Sequence, residues 1–151
     1  HRKTGKMIRL LQPKDLDSVL QIWLDASLIA HDFIDAAFWQ SQVENMRNLY
    51  IPASETYVME RDSRVVGFYS LLDNQMAALF VAPDCQGQGI GKRLMAHART
   101  QRPVLTLAVY KNNTASCQFY LSQGFVVTHE QVDEHSGQAE YWMSSGASAP
   151  Q

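Results

Sequence analysis

The sequence predicts a mixed α/β domain, and three observations carry that expectation. Two helical stretches come first, a meander of strand-like runs follows, and strand and helix then alternate to a final strand. At the centre, an apolar run passes through Pro83 directly into a glycine-rich turn and a helix, LFVAPDCQGQGIGKRL. A length of 151 residues gives room for one domain with one real core.

Pro13 begins the first helix, in which Leu16, Val19, Leu20 and Trp23 recur at helical spacing and Asp15 and Asp17 lie near the N-terminal end. The polar break AHDFID leads to a second helix carrying Phe38, Trp39, Val43, Met46 and Tyr50, with Pro52 marking its end. TYVME and VVGFYSLL flank RDSR as a hairpin, and MAALFVA is a third strand closed by Pro83. Residues 91–101 read as a helix with Leu94, Met95 and Ala98 on one face. VLTLAVY is a strand, residues 113–122 a short helix, and GFVVTHEQV and AEYWMS the last strands. The basic HRKTGK before Met7 reads as a remnant ahead of the natural start. One domain is therefore expected over residues 7–145, with residues 146–151 a frayed tail.

No apolar run approaches the ~18 residues of a membrane-spanning helix. The formal charge is −2, and Arg2, Lys3 and Lys6 all lie in the leading segment, so the rest carries −5. That balance argues against a nucleic-acid footprint and suits a cationic small partner or simply a solvated acidic surface. Cys85 and Cys117 form neither a metal spacing nor a disulfide framework, and a reducing cytoplasm is the expected compartment.

Three phosphate-binding patterns compete for the glycines. A Walker loop needs a leading glycine five residues before Gly91 and a hydroxyl after Lys92, but those positions hold Gln86 and Arg93. A dinucleotide fingerprint starting at Gly87 and Gly89 needs a third glycine where Lys92 stands. What remains is Gln86-x-x-Gly89-x-Gly91 between a strand and a helix. Glycine leaves amides unshielded, and a helix start adds unpaired N–H groups, so residues Gly87 to Lys92 can meet a pyrophosphate or simply form a tight turn.

VYKNNTASCQFYLSQGF, about 20 residues on, weighs between these. Q-x-x-G-x-G followed by V-x3-N-x2-A-x2-F-Y-x3-G-F resembles the GCN5-related N-acetyltransferase family, closely over residues 76–125 and in element order from Met7 to Ser144. Ser116 stands where the family usually has alanine, and the spacing selects Asn113 over Asn112. The resemblance implies a mostly antiparallel sheet, flanked by helices, with one parallel strand pair, residues 76–81 and 105–110, splayed around acetyl-CoA. It implies that Leu79, Phe80 and Val81 pair with the pantetheine arm and that Gln86, Gly87, Gln88, Gly89, Ile90, Gly91 and Lys92 hold the pyrophosphate. Asn113, Ser116 and Phe119 would flank the arm, although a phenylalanine there also suits the core. No metal is implied.

Acetyl transfer by direct amine attack sets three tasks. A backbone N–H near Leu79 or Phe80 would meet the developing oxyanion. Tyr120 sits where the family places the acid that protonates the leaving thiolate, as against a core tyrosine. The amine must also lose a proton, which costs ~4.6 kcal/mol at pH 7 for a lysine and ~1 kcal/mol for an α-amine. MAALFVA carries no carboxylate for this, which leaves His31, Glu60 or a water chain. His31, Asp32, Phe33 and Trp39 would line the acceptor pocket, with His31 alternatively a loop histidine. Asp133, Glu134 and His135 either attract a cationic acceptor or form an exposed hairpin tip.

The sequence therefore reads as an acetyl-CoA-dependent N-acetyltransferase similar to small bacterial members with HDF between their first helices. The acceptor class is an amine-bearing small molecule, a polypeptide N-terminus or a protein lysine, and a homodimer remains open. Another acyl-CoA as donor and a non-catalytic acetyl-CoA sensor are the rival readings.

Overall fold

The computed structural model describes residues 6–146; the leading residues 1–5 and the tail 147–151 lie outside it. Its strands are β1 (Lys6–Leu10), β2 (Glu55–Arg61), β3 (Arg64–Leu72), β4 (Gln75–Val81), β5 (Thr106–Tyr110), β6 (Val126–Val132) and β7 (Ala139–Ser144). They form one seven-stranded sheet in the order β1-β2-β3-β4-β5-β7-β6. Every pairing is antiparallel except β4 with β5. The helices are α1 (Leu16–Ala30), α2 (Ala36–Asn45), a one-turn α3 (Ile51–Ala53), α4 (Ile90–Gln101) and α5 (Thr114–Ser122). This is the mixed sheet with one parallel pair that the sequence predicts.

β3 is the centre of the core, buried without alternation from Val66 to Leu71. A strand buried on both faces needs cover on both. α4 supplies one cover: a Cβ added to Gly67 would lie 3.0 Å from the Phe80 carbonyl oxygen and 3.1 Å from Leu94, so glycine is what lets the helix seat there. Tyr69, on the same face, reaches His97 of α4 with its hydroxyl 2.6 Å from Nδ1. α1 also packs on β3 and β4 and takes the other face, with Val19, Leu20, Ile22 and Trp23 buried as its spacing predicts.

Two features depart from the sequence reading. β1 has no counterpart there, because five residues of mixed polarity at a sheet edge carry little pattern of their own. It is held by its pairing with β2 and by the partners of its own Arg9. Pro52, in turn, does not end the second helix; α2 runs through a π-helical turn at Met46–Tyr50 into α3, which contains Pro52. Proline lacks a donor and crowds the carbonyl four residues back, and a wider turn just before it relieves both.

Arg9 donates to both oxygens of Asp15, at 2.7 and 3.1 Å, and to Glu60 at 2.7 Å. Asp15, only 4% exposed, also accepts the Gln12 amide at 2.8 Å. The Arg9 hydrogen bonds hold its carboxyl below the ordinary carboxylate range. A depressed folded-state pKa stabilises the fold above the unfolded value and loses that stabilisation as pH falls through the folded value. Asp15→Asn is expected to lower stability at pH 7 by about 1–3 kcal/mol. Urea midpoints should show the wild type losing more stability than the variant as pH falls below about 4. Parallel acid limbs would remove Asp15 from this role.

Candidate active site

β4 and β5 share one register pair, Gln75 with Thr106, and then separate. Along its other edge β4 stays paired with β3, from Leu72 opposite Gln75 to Gly67 opposite Val81. Beyond Gln75, the backbone groups of β4 that face β5 therefore have no ladder partner. A cavity of about 550 Å³ opens in that gap, with Leu79 and Phe80 on one wall and Ala108, Val109 and Tyr110 on the other. Exposed strand edges accept an added strand, so this wall can take a peptide-like ligand.

The glycine turn lies outside the cavity, at the far end of β4. Gly87 and Gly89 adopt φ of 78° and 81°, the left-handed region, with nothing within 4 Å of an added Cβ. Glycine is needed there for backbone conformation and for approach from outside, not for internal packing. Gln86 donates its amide to the Val81 carbonyl at 3.2 Å and ties the turn to the strand. Gly89 caps α4 without a side chain, so the first amides of the helix, at Ile90, Gly91 and Lys92, face outward without partners. Ile90 anchors this end in the core at 1% exposure, while Gln88 is bonded to Arg61 and Lys92 is exposed. Phe119 stands against Gly91, 3.6 Å from where a Cβ would be, and joins α5 to the start of α4 rather than lining the cavity.

Asn113 and Ser116 are on the cavity wall. Asn113 caps α5, its Oδ1 accepting the Ser116 amide at 3.2 Å. That orientation turns its NH2 toward His31 Nε2, 3.0 Å away, so Nε2 accepts and Nδ1 carries the ring proton. His31 is buried at 7% exposure, stacked on Trp39 at 5.1 Å and edged by Tyr110 and Phe33. Burial pushes its pKa down to about 4, and Nδ1 has no partner. A neutral imidazole whose lone pair is already engaged is a weak proton acceptor. Trp39 lines the cavity; Phe33 packs behind His31, and Asp32 is exposed outside it. Glu60 is on β2, bonded to Arg9 and away from the cavity wall.

Tyr120 lines the cavity from α5, its ring edged by Phe119 and Phe125. Burial raises its phenol above the ordinary value. The hydroxyls of Tyr57, Tyr69 and Tyr110 are each hydrogen-bonded, whereas among the described residues that of Tyr120 has no partner.

The β6–β7 hairpin supplies a wall that the sequence resolved only in part. Glu134 is exposed outside the cavity, whereas Asp133, half-buried, and His135, exposed, both line it. Its Oδ2 accepts from Tyr110 and Ser136, both at 2.7 Å, and its Oδ1 from the His135 amide at 3.3 Å. Burial pushes the Asp133 carboxyl up, but these hydrogen bonds outweigh it and hold the carboxyl below the usual range. Glu140 and Trp142 join this wall, as their i, i+2 spacing on β7 could have signalled. Cys85 is buried between the guanidiniums of Arg61 and Arg64, which leaves no open thiol there. Among the described residues no cluster could hold a metal ion, and no helix is long and apolar enough to cross a membrane.

Residues 52–127 match the family model described as acetyltransferase (GNAT) domain. The peptidyl-lysine N-acetyltransferase YiaC of Escherichia coli is 37% identical over 79% of this chain and 82% of its own length. The peptidyl-lysine N-acetyltransferase YjaB of Salmonella typhimurium is 36% identical over 84% and 88%. The solution structure of apo YjaB from Escherichia coli superposes with a TM-score of 0.84 at 27% identity, covering 95% of this chain and 99% of that one.

The His31 environment has a direct spectroscopic consequence. In ¹⁵N-resolved NMR its ring should appear as the neutral Nδ1–H tautomer and titrate near 4. A midpoint close to the ordinary ~6.5 would show that the buried pair with Asn113 does not persist in solution.

Proposed function

The chain belongs to the GNAT acetyltransferase family and is an acetyl-CoA-dependent N-acetyltransferase, and on that premise we propose that it acetylates protein lysines by direct amine attack, with Tyr120 as the acid. The observation that carries this reading is that Tyr120, whose hydroxyl has no partner among the described residues, lines the same cavity as the open edge of β4. The lysine acceptor is supported by two relatives named for that activity and by a cavity that combines aromatic and carboxylate walls.

Acetyl-CoA supplies an acetyl group activated as a thioester. The protein's contribution follows from its own groups. In this reading Leu79, Phe80 and Val81 offer backbone hydrogen bonds to the pantetheine arm, and a freed N–H near Leu79 or Phe80 meets charge developing on the carbonyl oxygen. The outward amides from Gly87 to Lys92, with the Lys92 charge, receive the pyrophosphate, and Gln86 fixes the turn. Ser116 leaves room beside the arm, and Phe119 braces α5 against α4. Asn113 commits one amide N–H to His31 and one carbonyl lone pair to Ser116, which sets α5 and thereby Tyr120, and keeps a second of each for the arm.

A raised phenol pKa makes Tyr120 a weaker acid, but the same low dielectric also disfavours a thiolate and raises its proton affinity. The pair stays matched. No carboxylate stands on β4, and His31 has its Nε2 lone pair engaged by Asn113 and its pKa pushed down to about 4, so the amine proton leaves through water. The acceptor pocket is formed by His31 at the end of α1, backed by Phe33, by Trp39 of α2 and by the β6–β7 hairpin. Residues 7–145 act together as one catalytic unit. The acidic balance of the chain favours a protein over a nucleic acid as acceptor. The cytoplasm, where acetyl-CoA and newly made proteins meet, is the proposed compartment.

Tyr120→Phe is expected to lower kcat about 10²-fold with CoA affinity nearly unchanged, read by free-thiol release and calorimetry. Unchanged turnover, once chemistry is shown to limit the rate, would take the acid role from Tyr120. Gly89→Glu should weaken CoA binding by about 10-fold or more, because it adds a like charge and a strained φ where the pyrophosphate docks. Wild-type affinity in a folded variant would move the pyrophosphate elsewhere.

A further inference from the structure

Asp133 differs from most carboxylates that this protein holds in place. Asp15, Glu55, Glu60, Asp84 and Glu130 each have a lysine or arginine partner. Asp133 is half-buried, fixed by Tyr110, Ser136 and the His135 amide, and among the described residues has no cation within salt-bridge distance. Neutral donors keep a carboxylate ionised and immobile without cancelling its charge. Its Oδ2 is occupied by two hydroxyls, while Oδ1 has one long contact and remains open to a further donor. Holding an uncompensated charge this rigidly has a cost, which a cationic ligand would repay.

That charge lies on the wall of the cavity, which His135 also lines, and among the described residues no lysine or arginine lines it. Tyr110 connects Asp133 to the opposite, aromatic wall. Its hydroxyl binds the carboxylate, while its ring meets His31 at 5.1 Å and Trp39 at 6.2 Å. Phe38 closes on Trp39 at 5.1 Å. A slot with flat aromatic sides and a fixed anion suits a flexible aliphatic stem ending in an ammonium.

We propose that Asp133 is the acceptor-recognition carboxylate, receiving the ammonium of a lysine side chain whose stem lies along Trp39 and Tyr110. This deepens the lysine-acetyltransferase reading and rests on it. Glu140 shares the wall and stands opposite Tyr110 across β5 and β7, but both its donors, Gln131 and the Trp142 indole, fall on the longer side chain's Oε2, and no hydrogen bond ties it to the aromatic slot as Tyr110 ties Asp133. Asp133 sets selectivity; Glu140 adds field.

The test titrates CoA-saturated protein with a short lysine peptide and with the same peptide carrying norleucine, which keeps the stem and lacks the charge. The wild type should prefer lysine by about 10-fold or more, Asp133→Asn should abolish that preference, and Glu140→Gln should largely keep it. CoA affinity measured on each variant reports that the coenzyme half is intact. Tyr110→Phe, which leaves the charge but frees the carboxylate, should reduce the preference partway. No preference in the wild type, or its loss in Glu140→Gln but not in Asp133→Asn, overturns the proposal. A wild type that binds no CoA refutes the acetyltransferase reading itself, and the proposal falls with it.

Discussion

A strand inside a sheet ordinarily pairs its backbone with both neighbours. β4 pairs with β3 throughout but with β5 at Gln75 alone. Everything that can happen in this molecule's cleft depends on that separation. It leaves amides and carbonyls of an interior strand without ladder partners, facing an open cavity where a ligand or water must satisfy them. The strand can remain in that state because β3, buried on both faces between α1 and α4, keeps it in register from the other side. Gly67 is part of this support, since it allows α4 to approach β3 and so fixes where the glycine turn begins.

Around the opening, four polar side chains hold one another in place and leave Tyr120 free. Asn113 fixes His31, and Tyr110 fixes Asp133, while the rings of His31 and Tyr110 meet edge to face. Each pair joins elements far apart in sequence: the end of α1 with the cap of α5, and the end of β5 with the β6–β7 hairpin. This part of the cavity wall is therefore built from junctions rather than from one motif. Deforming it requires breaking a buried hydrogen bond and an aromatic contact together, and such coupled contacts favour a rigid site.

Legibility in the sequence divided along the same line. The glycine turn could be read because it is local, a backbone conformation between a strand and a helix, while Asn113 and Tyr120 were placed by the family resemblance, which implied an arm contact for Asn113 and not its cap on α5. The helices and most strands were equally plain, as Leu94, Met95 and Ala98 are buried on one face of α4. Asp133 was seen only as part of a charged tip, since nothing local distinguishes it from Glu134; Tyr110, 23 residues away, does. Glu60 looked available as a base until Arg9, 51 residues away, was found on it. β1 and the helix through Pro52 were lost for related reasons, one depending on partners and the other on a turn type that no residue pattern announces.

The two walls of the acceptor slot act on the proton in opposite senses. A carboxylate beside an ammonium stabilises the charged form and raises its pKa, whereas an aromatic, desolvated surface lowers it. Binding through Asp133 alone would hold the acceptor in its unreactive state, and each unit of raised pKa adds about 1.4 kcal/mol to the ~4.6 kcal/mol already needed to deprotonate a lysine at pH 7. Recognition that strong in the ground state is not recovered in the transition state. The arrangement works if the amine leaves Asp133 as it advances toward β4, giving up its proton at the point where the surroundings change from carboxylate to strand edge. A carboxylate on β4 would remove that step; its absence makes the distance between recognition and reaction part of the mechanism.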